Sequence, residues 1–195
     1  MINLLDGSGI PAEFRNLFGA NGAVFDYGDC IEHFGQDFHR VPVTKNLWLA
    51  GDQTATQAII GTSAMELIAF LSLRKTQYPK IDMVALIAIG SKWHVEQAAW
   101  IRDNFCKRKF TLVFGNDYLG RITDVKMACA LKEKIILIHR NQNETVFLCG
   151  TRQCVISNDT VSLYALERAM GWRSGISCPK SKQNINFLEE LKNGK

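Results

Sequence analysis

Between Thr56 and His139 the chain alternates strand-sized apolar runs with stretches whose apolar residues recur at helical spacing, and few folds accommodate that rhythm. Gln57–Ile60 reads as a strand and runs into Ser63–Leu73, where Met65, Ile68 and Leu71 mark one helix face. The unit then repeats: strand Met83–Ile89, helix Lys92–Phe105, strand Phe110–Phe114, helix Leu119–Leu131 and strand Lys134–His139. Strands separated by helices call for a parallel sheet joined by crossovers, so the expected class is α/β, a mainly parallel sheet flanked by helices.

The flanks differ. Residues 1–50 are glycine-rich, with strand-like pieces at Gly22–Tyr27, His39–Val43 and Asn46–Ala50, and read as a β-rich N-terminal extension. The α/β core is expected over 51–172. It includes strands Thr145–Cys149 and Cys154–Ser157 about a Gly150 turn, which should extend the sheet at one edge, and a helix from Thr160 that stops at Gly171. Residues 173–195 read as a polar C-terminal tail in which Phe187, Leu188 and Leu191 allow a short amphipathic turn. With 195 residues and 47% apolar content the chain can bury one core, so we expect a single globular domain and no wholesale disorder.

The net charge of +4 favours acidic partners only slightly. No window has the roughly 18–20 continuous apolar residues of a membrane-spanning helix. The opening residues, with Asp6 and Glu13 among Gly and Asn, resemble no secretory signal; a cytoplasmic protein without membrane partners is the expectation. Six cysteines (Cys30, Cys106, Cys129, Cys149, Cys154, Cys178) form no CxxC pair and read as reduced, mostly buried thiols.

In an open parallel sheet, ligands sit at the carboxyl ends of the strands. The turns there are Gly61-Thr62-Ser63, Gly90-Ser91-Lys92 and Gly115-Asn116-Asp117. Thr62-Ser63-Ala64-Met65-Glu66 after one strand, Gly90-Ser91 after the next and Gly115-Asn116-Asp117-Tyr118-Leu119-Gly120-Arg121 after the third together resemble the Toprim domain of primases, topoisomerases and related nucleases. The likeness is greatest to stand-alone Toprim domains of mobile-element primase-like proteins. It covers about residues 56–140 and implies a Toprim-like, Rossmann-like sheet, Mg²⁺ binding and phosphoryl-transfer or strand-cleavage chemistry. In that family a Glu follows the first strand and an Asp-x-Asp pair the third; here Thr62 and Gly115 stand at two of those positions, which leaves Asp117. Glu66, one helical turn beyond Thr62, and Asp124 are the acids that could assist Asp117 at a metal.

Each of these residues also has a plain structural reading. Ser63-x-x-Glu66 fits a capping box, Asn116-Asp117 can start a helix, and Gly120 suits close approach of that helix to the sheet. Arg121 reads either as the partner of a local carboxylate or as a phosphate contact. Phosphate binding does not need the missing acids: free amides at the starts of the helices near Ser63, Lys92 and Gly120 form an anion site by geometry. Thr62, Ser63, Ser91, Lys92, Asn116, Gly120 and Arg121 are the candidate phosphate-binding residues. Lys107-Arg108-Lys109 with Arg102, and Trp93 or Trp100 as stacking platforms, could supplement them, although that cluster precedes a strand and so belongs to the opposite edge. His94 reads as packed on the face of Ala98, Ile101 and Phe105. Cys30, His33 and His39 lack a fourth zinc ligand at suitable spacing. Gly7-Ser8-Gly9 follows no strand and reads as a loop.

The expectation is therefore a catalytically degenerate Toprim-like protein without a required cofactor, which binds nucleic acid or a partner in replication or mobile-element transfer. The alternatives are a residual Mg²⁺-dependent nuclease or nucleotidyl-transfer enzyme using Asp117, and a protein-interaction module that binds no nucleic acid.

Overall fold

A computed structural model describes residues 24–35 and 37–193. Gly22, the Gly7-Ser8-Gly9 loop, Asp6 and Glu13 lie outside them. The central sheet contains β4 (Trp48–Ala50), β5 (Gln57–Gly61), β6 (Val84–Ala88) and β7 (Lys109–Val113) in the order β4-β6-β5-β7. Strands β6, β5 and β7 are parallel, while β4 closes the β6 edge antiparallel. The sheet is thus mixed, with a parallel centre. Every residue of β6 is buried, as is Ala58–Gly61 of β5, the continuous apolar signature of strands covered on both faces. Within β5, Ile59 enters one core and Ala58 and Ile60 the other.

Helix α1 (Ala64–Leu73) covers one face, and α2 (Val95–Asn104) and α3 (Tyr118–Leu131) the other. Residues Ala64 through Leu71 are all buried, because α1 is enclosed by the central sheet, an N-terminal sheet and the C-terminal helix α5 (Phe187–Asn193). A helix apolar nearly all round can only be an interior one. It carries one carboxylate, Glu66, into that interior.

The N-terminal sheet is an antiparallel meander of β1 (Val24–Asp26), β2 (Ile31–Phe34) and β3 (His39–Arg40). Strand β2 escapes the sequence reading because its polarity is inverted. Ile31 is exposed, whereas Glu32 is completely buried.

Two further expectations need correction. Lys134–His139 is not a further strand of the parallel sheet: β8 (Leu137–Arg140), β9 (Glu144–Cys149) and β10 (Arg152–Ser157) form a separate antiparallel sheet, with Arg140 opposite Thr145. The link from β8 to β9 through Asn141-Gln142-Asn143 is hairpin-sized, and a parallel crossover needs roughly a dozen residues. Helix α4 (Leu163–Met170) then packs beside this sheet, capped by Ser162 and closed by left-handed Gly171.

The segment read as a polar tail is built into the core. Ser177 bridges Thr111 of β7 in parallel, its N–H donating to Phe110 O and its carbonyl accepting from Leu112 N. Phe187, Leu188 and Leu191 are buried against α1, with Phe187 edge-on to Phe70. All six cysteines are free, but only Cys129 is buried and Cys106 is exposed, so the thiols are less enclosed than expected. No helix among the described residues is long and apolar enough to cross a membrane.

Candidate functional site

The parallel centre delivers the turns after β5, β6 and β7 to one end of the sheet, where they border a crevice of about 280 Å³. Thr62, Ser63, Ser91, Asp117 and Gly120 line it, together with Glu66, Gly115 and His39. Lys92, Asn116 and Arg121 do not, and neither does Asp124.

Of the helix ends facing this crevice, α1 has its first three amides bound within the protein and α3 its third. At α1, Ser63 Oγ accepts from Glu66 N, as the capping-box reading expects for that half. The amides of Ala64 and Met65 donate to the carboxylate of Glu32, at 2.9 and 3.2 Å, from a strand more than thirty residues away in sequence. The same carboxylate accepts from the Tyr27 hydroxyl at 2.8 Å and pairs with His39 Nε2 at 2.9 Å. Four partners on two oxygens explain how a fully buried acid is tolerated at a helix N-terminus. Burial and the neighbouring Glu32 charge push the Tyr27 hydroxyl well above its ordinary pKa, so it stays a donor.

Glu66 does not return a bond to the Ser63 amide, which corrects the other half of the capping box. Its carboxylate accepts from Phe187 N at 2.7 Å and Leu188 N at 3.1 Å, and so caps α5. The N-terminal sheet holds α1 through one acid, and α1 holds α5 through the next. Burial pushes Glu66 up to about 7 despite the two amide bonds that favour its charged form. A carboxyl that holds its proton more tightly when folded stabilises most where both states are protonated; that contribution is lost as pH rises from about 4.5 through about 7. Unfolding by urea should therefore show Glu66→Gln losing part of the wild type's extra stability at pH 5 over pH 8, on the order of 2–3 kcal/mol. An unchanged pH profile in the variant would remove Glu66 from this role.

At α3, Asp117 is the N-cap, its Oδ1 accepting from Gly120 N at 2.8 Å. A Cβ on Gly120 would stand 2.1 Å from the Gly115 carbonyl oxygen, so the glycine permits the helix to sit directly on the preceding turn. Arg121 pairs with no carboxylate among the described residues. Its guanidinium instead donates to the Asn116 carbonyl and side-chain oxygens and to Asp159 O, tying this turn to the one that follows β10. Asn116 is spent on Ile185 O and Ser181 O, and Ser91 on Pro42 O through both its amide and hydroxyl. The expected set of free amides is thus largely bound internally. His94 is not packed on the α2 face either: it is the N-cap, its amide donating to Gln97 Oε1, and Gln97 is the buried member.

Asp124 points to a neighbouring cavity of about 210 Å³ bordered also by Arg121, Cys178 and Lys180. Its Oδ2 pairs with Lys180 Nζ at 2.5 Å, and the same ammonium donates to Phe114 O and Gly115 O. Burial nevertheless pushes Asp124 up to about 7, against the pull of Lys180. Cys30, His33 and His39 do not assemble: Cys30 Sγ faces Val43 O and His39 is held by Glu32. Among the described residues no three acid, histidine or cysteine side chains are gathered as a metal site.

Sequence reasoning missed Glu32, His39 as its partner, and Lys180. Glu32 and Lys180 act on elements distant in the chain, and His39 pairs with Glu32 across a strand whose polarity is inverted, so none has a local signature. The fold and site define an α/β protein whose strand-end crevice is rimmed by internally capped helices. No protein family, curated protein or solved structure matches this chain.

Proposed function

We propose that this chain is a Toprim-like protein without the family's metal chemistry, which binds nucleic acid and works beside replication or transfer proteins. One observation carries the reading: the acids at the strand-end crevice and in the cavity beside it are committed to holding the fold. Asp117 caps α3, Glu66 caps α5 through both oxygens, and Asp124 is paired with Lys180. Where the resemblance implies Mg²⁺, Thr62 offers a hydroxyl and Gly115 no side chain at all. Mg²⁺ usually takes one or two carboxylates with substrate phosphates and water, and two-metal catalysis needs more. These residues do not fit that group.

Parallel strands β6, β5 and β7, with glycine-bearing turns converging at one end, support kinship with the Toprim arrangement. The same core without committed metal ligands favours binding over cleavage. Titration calorimetry with Mg²⁺ and Mn²⁺ should give no saturable heat below about 10 mM, and Asp117→Ala should not alter it. Saturable binding abolished by Asp117→Ala would replace this reading with a residual nuclease or nucleotidyl-transfer enzyme.

A further inference from the structure

The strand-end crevice contains no lysine or arginine in its lining, while two carboxylates, Glu66 and Asp117, border it. A polyanion would find no lysine or arginine to meet it there. The opposite conditions hold around α4. A cleft of about 640 Å³ is bordered by Tyr164, Arg168, Trp172 and Arg173, and it shares Tyr164 with the cavity that Arg121 borders. Arg168, Arg173 and Arg121 pair with no carboxylate among the described residues. Arg121 is held by carbonyl and amide oxygens, which fix its position; the buried Asp124 borders the same recess but is paired directly with Lys180. The one acid in the cleft, Glu167, is engaged by the amide and hydroxyl of Ser174.

The aromatic groups matter as much. Tyr164 is 72% exposed at the second position of α4 and borders both recesses. Trp172 also borders the cleft, half-buried, with Lys134 Nζ 5.1 Å from its ring centre. A last-turn arginine complements the helix dipole, which accounts for Arg168. It does not account for Arg173, which lies beyond the Gly171 cap, or for the bare tyrosine.

Resting on the nucleic-acid reading above, we propose that single-stranded nucleic acid binds across the α4 face, with bases stacked on Tyr164 and Trp172 and phosphates on Arg121, Arg168 and Arg173. Alternating aromatic faces and uncompensated cations are what an unpaired strand requires; a duplex hides the base faces that the rings would cover. This site is distinct from the strand-end crevice and uses none of its residues.

The test is fluorescence anisotropy of the full chain with labelled 20-nucleotide oligo(dT), oligo(U) and a 20-base-pair duplex between 20 and 200 mM salt. Single strands should bind more tightly than duplex, with affinity falling as salt rises by a log-log slope of about −2 for three phosphate contacts. Arg168→Ala combined with Arg173→Ala should weaken binding at least tenfold at low salt and flatten the slope by more than one. Tyr164→Ala should weaken it about five- to a hundredfold with the slope unchanged. Lys107→Ala with Lys109→Ala, at the opposite end of β7, should leave it intact. Comparing the dT and U arms tells DNA from RNA. Binding lost in the Lys107/Lys109 variant but kept in the arginine variant would overturn the assignment of this face and leave the nucleic-acid reading standing. Absence of binding by the wild type at 20 mM salt would overturn both.

Discussion

Replacing Glu32 by alanine should cost about 4 kcal/mol of folding stability, measured by urea unfolding at pH 7. The side chain is completely buried and accepts from Ala64 N, Met65 N and Tyr27 Oη while pairing with His39. Removing it leaves two helix amides and a hydroxyl inside the protein without acceptors, and each such orphan carries a desolvation penalty of about 1–3 kcal/mol. Glu32→Gln keeps the volume but points an NH₂ at donors, so its loss should be about half as large. Tyr27→Phe, which deletes one of the four bonds, should cost about 1 kcal/mol. A Glu32→Gln variant as stable as the wild type would show that the carboxylate does not anchor α1.

The second large effect is expected at Lys180→Met, about 3 kcal/mol at pH 8. Lys180 is the counter-charge of buried Asp124 and a donor to the Phe114 and Gly115 carbonyls, so methionine strands a carboxylate in the interior. Asp124 is already pushed up to about 7 by burial, and without the ammonium it rises further. The deficit should therefore shrink on acidification, because a protonated Asp124 has no charge to leave unpaired. Adding Asp124→Asn to Lys180→Met should recover most of the loss, and the double-mutant cycle reads the coupling directly. Equal deficits at pH 5 and pH 8 would disprove the charge argument.

These two positions mark where sequence reasoning stopped. The strands β5, β6 and β7 and the helices after them were legible because each announces itself locally, through an unbroken apolar run or helical periodicity. The Ser63 and Asp117 caps were legible for the same reason, since a cap acts three residues away. Glu32 was not, because the helix amides it binds are over thirty positions distant and the strand carrying it reverses the usual alternation. Reading β8 as a parallel strand failed for a different reason. The helix before it suggested a crossover, but the short turn after it committed the strand to an antiparallel partner. Glu66 shows both limits together: its neighbour Ser63 behaves as spacing dictates, while its carboxylate goes to residues 121 and 122 positions later.

Ser177 on the flank of β7 and α5 against α1 together set an order on the birth of the molecule. A ribosome delivers β7 and α1 well before the polypeptide that covers them. In that interval β7 presents a bare edge to the cell and Glu66 has no amides to receive, so the nascent chain is open to strand-adding neighbours and to chaperones.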